Sequence, residues 1–129
     1  MSRIGRAMLG AALMIPGAAT PAGTAAVCEV AYRMSAYTGG FTAGITVLNI
    51  GTETINGWTF RFPLDATATV VEIWNAVLLS ATDVVTTRDK SWNAVVPPGN
   101  SITIGFRATG ASATPSSFTV NDLPCRVAP

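Results

Sequence analysis

The chain has 129 residues, two cysteines, no histidine, and eight basic against seven acidic side chains. That length is enough for one domain. The missing histidine excludes Ser-His-Asp and Cys-His nucleophiles, and with the cysteines expected to bond each other, zinc and copper lack their usual ligands. No Gly-rich phosphate motif is present, and no cofactor or metal is expected.

Residues 1–26 read as a signal peptide. Arg3 and Arg6 precede an apolar, Ala/Gly/Met-rich run over 7–19, and small residues follow up to Ala26. The run is short for a membrane span and carries Pro16 and glycines inside it. Residues 27–129 are then the mature domain. Without the two leader arginines, six basic residues face seven acidic ones, a net charge near −1. So balanced a chain offers no basic patch for nucleic acid and no charge run for an anionic membrane. Its partner is expected to be uncharged, and the protein a monomer. Export also places Cys28 and Cys125 in an oxidising compartment, where one bridge joins the two ends of the domain.

From Cys28 onward the segments are short, rich in Val and Thr, and separated by turn residues, which is an all-β pattern. The first strand runs from Cys28 to Met34, with Val30, Tyr32 and Met34 on one face. Tyr37-Thr38-Gly39-Gly40 turns the chain, and in the next strand Phe41, Ala43, Ile45 and Val47 alternate with Thr42, Gly44 and Thr46. Trp58, Phe60 and Phe62 share a face against Thr59 and Arg61, so Trp58 belongs to the core. Residues 67–79 are extended with a bend near Asn75. Alternation there sets Val71 and Ile73 on one face, and Val70, Glu72 and Trp74 on the other. Asp83 to Thr87 and Ser91 to Val96 read as a hairpin turning at Arg88-Asp89-Lys90. Pro97-Pro98-Gly99-Asn100 is a turn, after which Ile102, Ile104 and Phe106 point inward. A Ser/Thr loop over 109–116 precedes a last strand from Phe118 to near Cys125. Eight or nine such strands predict a two-sheet antiparallel β-sandwich, immunoglobulin-like or jelly-roll-like, with a β-barrel as the alternative.

Trp74 shares its face with Glu72, and a large ring beside a solvated carboxylate calls for an explanation. A local polar setting also surrounds the second Trp-Asn-Ala, at Trp92-Asn93-Ala94. Both tryptophans read as parts of a flat binding surface. An aromatic ring lies well against the apolar face of a pyranose, while sugar hydroxyls keep polar partners at the rim. Each ring so covered contributes roughly 1.5–3 kcal/mol before association costs. The seven carboxylates, Glu29, Glu53, Asp65, Glu72, Asp83, Asp89 and Asp122, show no catalytic pairing in their spacing.

The motifs together resemble the family 2 carbohydrate-binding modules, secreted bacterial β-sandwich domains. The resemblance rests on Cys28, Gly40-Phe41-Thr42-Ala43, Ile55-Asn56-Gly57-Trp58-Thr59, Trp74-Asn75-Ala76 and Ser91-Trp92-Asn93. It continues through Pro98-Gly99, Ile104-Gly105-Phe106 and Phe118-Thr119-Val120-Asn121-Asp122 with Cys125. It implies a planar row of aromatic residues at Tyr37, Trp74 and Trp92, with polar support from Glu72, Asn75 and Asn93. It also implies an insoluble β-1,4-linked polysaccharide, cellulose or chitin, as the partner. Trp58 lies in a family motif outside that row. Gly40 stands where xylan-binding members carry an arginine that turns the first ring, which favours the planar type. This chain departs from the pattern at Tyr37, where tryptophan is usual. It departs also at Ser35, Gly44, Glu72 and Arg107, where amide side chains are common. Such modules are usually attached to glycoside hydrolases; this chain is expected to act without a catalytic domain of its own. The competing readings are a xylan-binding module, a small-ligand carrier or surface adhesin on the same sandwich, which needs a cavity or a self-association edge, and a minimal glycosidase.

Overall fold

The computed structural model describes residues 26–129, so the expected signal peptide lies, apart from Ala26, outside the described residues. The strands are β1 (Cys28–Tyr37), β2 (Gly40–Asn49), β3 (Ile55–Asn56), β4 (Thr59–Pro63), β5 (Thr69–Trp74), β6 (Val77–Ser80), β7 (Val84–Arg88), β8 (Val95–Val96), β9 (Ser101–Thr109), β10 (Thr119–Val120) and β11 (Leu123–Val127). Among the described residues the fold is all-β, as its alternating sequence requires.

Two layers form. One has the order β5-β9-β2-β1-β11 and the other β11-β10-β4-β7-β6, so β11 belongs to both. Leu123 and Pro124 pair with β10, whereas Cys125 to Val127 pair with β1. The sandwich is therefore joined along this edge. Its opposite edge is open, because β5 and β6 end the strand order without pairing. Every pairing is antiparallel except β1 with β11. That parallel register places Cys28 opposite Cys125, and the two form the expected disulfide across 97 positions of chain. A loop of this size gives about 4–5 kcal/mol in the chain-entropy account.

The core lies between the layers. All five phenylalanines, Phe41, Phe60, Phe62, Phe106 and Phe118, are buried. Phe60 and Phe118 stack with centroids 5.8 Å apart, and Phe41 meets Phe106 edge-on at 5.7 Å. Each buried ring contributes on the order of 1.5–3 kcal/mol. Ile45, Ile104, Val30 and Trp58 complete the interior, so Trp58 takes the core position its alternation predicts. The predicted turn after Pro97 also forms: the Asn100 N–H donates to the Pro97 carbonyl at 3.0 Å and Gly99 takes φ +84°.

Three expectations are corrected. The hairpin between Asp83–Thr87 and Ser91–Val96 does not form. Val95 and Val96 pair instead with β3, and Ser91–Asn93 coils into a single 3-10 turn. The buried Trp58 explains this, since its backbone and indole hold the segment 89–93 in place. In β5 the expected faces hold for Ile73, Glu72 and Trp74 but not for the two valines. The register shifts between Val70 and Glu72, and this bulge turns Val70 onto the core and leaves Val71 exposed. The last strand is divided at Asn121 and Asp122, both at positive φ, which close a tight hairpin between β10 and β11.

Candidate functional site

Strand alternation decides which side chains leave the core of the first layer. In β9, Ile104, Phe106 and Ala108 are buried, so Thr103, Gly105 and Arg107 face outward. Cross-strand register then sets outward rows. Trp74, Gly105, Gly44 and Arg33 lie opposite one another, as do Glu72, Arg107, Thr42 and Ser35. Tyr37, Gly40 and Thr109 form a third row, with Tyr37 on the outward parity of β1.

Trp74 lies across this face. A Cβ added at Gly105 would come within 2.9 Å of its Cε3, so the indole rests on backbone where any side chain would lift it. Tyr37 is set similarly, its Cε1 3.3 Å from the place a Cβ would take on Gly40. The two residues stand three strands apart across the sheet and four residues apart along β9. That is about 14 Å across and about 13 Å along, and the glycine contacts show each ring reaching over that interval. Trp74 keeps 43% of its surface exposed and Tyr37 49%.

Trp92 is reached by another route. It sits in the 3-10 turn Ser91–Asn93 and is 68% exposed. The turn is fixed by its neighbours. The Asn93 carbonyl accepts the Trp58 indole N–H at 2.9 Å, and the Asp89 carboxylate accepts the Trp58 backbone N–H at 2.7 Å. The Asn93 side chain caps its own turn by accepting from the Lys90 N–H at 2.9 Å, then donates to the Asn75 carbonyl at 2.7 Å. Asn75 in turn donates to the Thr103 carbonyl of β9 at 2.9 Å. Asn75 itself has φ 65°, a left-handed conformation that asparagine tolerates, and it bends the chain from β5 in one layer to β6 in the other. Thus one hydrogen-bond chain ties Trp92 to the residue after Trp74. Asn75 and Asn93 each give one amide N–H to a backbone carbonyl, which fixes the side chain and leaves the second N–H.

Glu72 is equally committed. Its Oε1 accepts from Arg107 Nε at 3.0 Å, and Nη2 lies 3.0 Å from the same oxygen, in an exposed ion pair between the rows of the two rings. The Arg107 guanidinium is held further toward its charged form by Glu72 first and by the Tyr37 hydroxyl next. Sequence reasoning singled out the rings but gave no role to Gly105 as the floor of Trp74 or to Arg107 as the partner of Glu72. The signal for Gly105 was its place opposite Trp74, which only the strand register reveals.

Among the described residues no group of three His, Cys, Asp or Glu side chains gathers as a metal site. A depression of about 610 Å³ opens at the other end of the molecule's loops, lined by Val27, Asn49, the segment 50–57 and Leu123. None of its lining residues carries an exposed ring.

A family model described as "Cellulose binding domain" matches residues 28–125. The chain belongs to that family. Its members are non-catalytic carbohydrate-binding modules. Exoglucanase B of Cellulomonas fimi is 38% identical over 104 residues, which is 79% of this chain and 10% of that protein. Chitinase 63 of Streptomyces plicatus is 30% identical over 125 residues, 92% of this chain and 20% of that protein. The chain thus spans a fifth or less of these two relatives. A cellulose-binding family 2 carbohydrate-binding domain solved by NMR superposes with a TM-score of 0.58 at 32% identity, covering 79% of this chain and 97% of that one. A chitin-binding domain from Streptomyces coelicolor gives 0.64 at 26% identity, covering 78% and 96%.

Proposed function

We propose that this protein is a secreted module that binds an insoluble β-1,4-linked polysaccharide, cellulose or chitin, through Tyr37, Trp74 and Trp92. The observation that carries the reading is the exposure of three large rings on one hydrogen-bonded framework, two of them bedded on glycine. Hydrophobic side chains of this size are normally taken into a core, and this core is already filled by phenylalanine. Rings fixed before the ligand arrives lose little entropy on binding, and a stiff polymer loses little of its own. The relatives support the choice of polymer, since cellulases and a chitinase carry the same module. They support export too, as does the leader-like segment 1–26.

The test is co-sedimentation with cellulose, chitin and insoluble xylan in parallel. The wild-type protein is expected in the pellet with cellulose or chitin. Trp74→Ala and Trp92→Ala are expected to fold and to remain in the supernatant. Unchanged retention of both variants would defeat the proposal, and retention on xylan alone would move the protein to the xylan-binding type.

A further inference from the structure

The outward face of the first layer is floored by glycine at Gly40, Gly44 and Gly105. Rings overlie two of these. Tyr37 lies over Gly40, and the benzo carbons Cε3 and Cζ3 of Trp74 lie over Gly105. Nothing comes within 4 Å of the place a Cβ would take on Gly44, so the third is bare backbone. Its surroundings follow from alternation and register. Thr42 and Thr46 flank it along β2 on the same face, both half-buried. Gly105, under the Trp74 indole, stands opposite it on β9, and Arg33 stands opposite it on β1. Arg33 is exposed and joins none of the ion pairs among the described residues. The result is a shallow well with a backbone floor, the indole on one side, a cationic residue on the other and a threonine at each end.

The position of the well relative to the ring decides what enters it. Neighbouring strands lie about 4.8 Å apart, so the well opens one strand to the side of the ring over Gly105. A pyranose stacked on that ring sends its equatorial substituents outward in its own plane, past the ring edge. In cellulose those groups are hydroxyl and hydroxymethyl, which are short and leave the floor uncovered. In chitin the sugar carries an acetamido group at C2, with a methyl, a carbonyl and an N–H. The well offers a partner for each part. Bare backbone and the indole edge cover the methyl, the guanidinium donates to the carbonyl, and a threonine hydroxyl accepts the N–H. A carboxylate substituent would find the cation, but would give up hydration against indole and backbone with no methyl to bury.

We propose that the Gly44 well is a subsite for the 2-acetamido group of the sugar stacked on Trp74, so that the preferred polymer is N-acetylated: chitin rather than cellulose. The subsite rests on the polysaccharide reading above and selects within it.

The test is a set of adsorption isotherms on chitin and on cellulose, read as the ratio of the two affinities. The wild-type protein is expected to favour chitin. Gly44→Thr fills the well, and Arg33→Met removes the donor to the carbonyl. Each should lower the chitin-to-cellulose ratio about five- to tenfold, the worth of one polar contact. Gly44 lacks a positive φ and has open space above it, so Gly44→Thr should leave the urea midpoint in place. Equal affinity of the wild type for both polymers, or a ratio unmoved by both variants, would overturn the proposal. So would a preference for carboxyl-oxidised cellulose over chitin that disappears in Arg33→Met, which would make the well an anion site. Retention on cellulose alone would defeat the subsite and leave the polysaccharide reading standing, whereas a wild type that binds no polymer would defeat that reading itself.

Discussion

Trp58 and Trp74 are 16 positions apart in the sequence, and each opens a polar neighbourhood, but they solve opposite problems. Trp58 is 3% exposed and gives its indole N–H to the Asn93 carbonyl, so both its area and its one donor are satisfied. Trp74 is 43% exposed and rests on a glycine. The difference teaches that the buried tryptophan is part of the apparatus presenting the exposed ones. Trp58 fixes the turn that carries Trp92, and the same turn reaches Asn75 beside Trp74. Stability and binding are thus divided between residues of one chemical type.

That division can be broken most forcefully at Trp58. Trp58→Ala should destabilise the fold by about 3–5 kcal/mol, from the cavity and from the stranded Asn93 carbonyl; urea unfolding measures it. Trp74→Ala and Trp92→Ala should each change stability by about 0.5 kcal/mol or less. Each should cost roughly 1.5–3 kcal/mol of polymer binding, read from adsorption isotherms. If an exposed-ring variant unfolded as readily as Trp58→Ala, the division would be wrong. Asn93→Ala removes the cap and the link to Asn75, and a loss of about 1–2 kcal/mol is expected, with weaker polymer binding through a loosened Trp92. Gly105→Val should keep the fold while lifting Trp74, so its adsorption should drop with little change in urea midpoint.

The smallest effect expected is on pH. Burial pushes the Tyr32 phenol up to about 12 from the ordinary value of 10.0, because the anion is poorly solvated there. A folded-state value above the unfolded one means the stabilisation is complete below pH 10 and is lost as pH rises toward 12. Thermal midpoints taken from pH 8 to 12 should fall only in the upper part of that range, and Tyr32→Phe should flatten the fall.

Much of the layering was legible in the sequence because one buried face leaves a period of two. Phe41 to Val47, Trp58 to Phe62 and Ile102 to Phe106 each declared their inward sides, and the Pro98-Gly99 turn declared itself through its backbone preferences. The corrections fall where local pattern yields to long-range contact. The bulge at Val70–Glu72 inserts one residue and reverses the parity of the valines, which no alternating count detects. The segment 91–96 has the β-branched residues of a strand, yet its register is decided by Trp58 and β3, more than thirty positions away. Exposure of Trp74 was legible from Glu72 beside it. The glycine floor and the Glu72–Arg107 pair were not, because they depend on which strands become neighbours.

The most direct measurement is a titration of the 15N-labelled protein with a soluble oligomer of the retained polymer, cellohexaose or chitohexaose, following the indole N–H signals of the three tryptophans. The signals of Trp74 and Trp92 should move together and saturate, while that of Trp58 stays in place. Movement confined to Trp58 or to the depression over Gly51–Gly57, with both exposed indoles unmoved, would contradict the account.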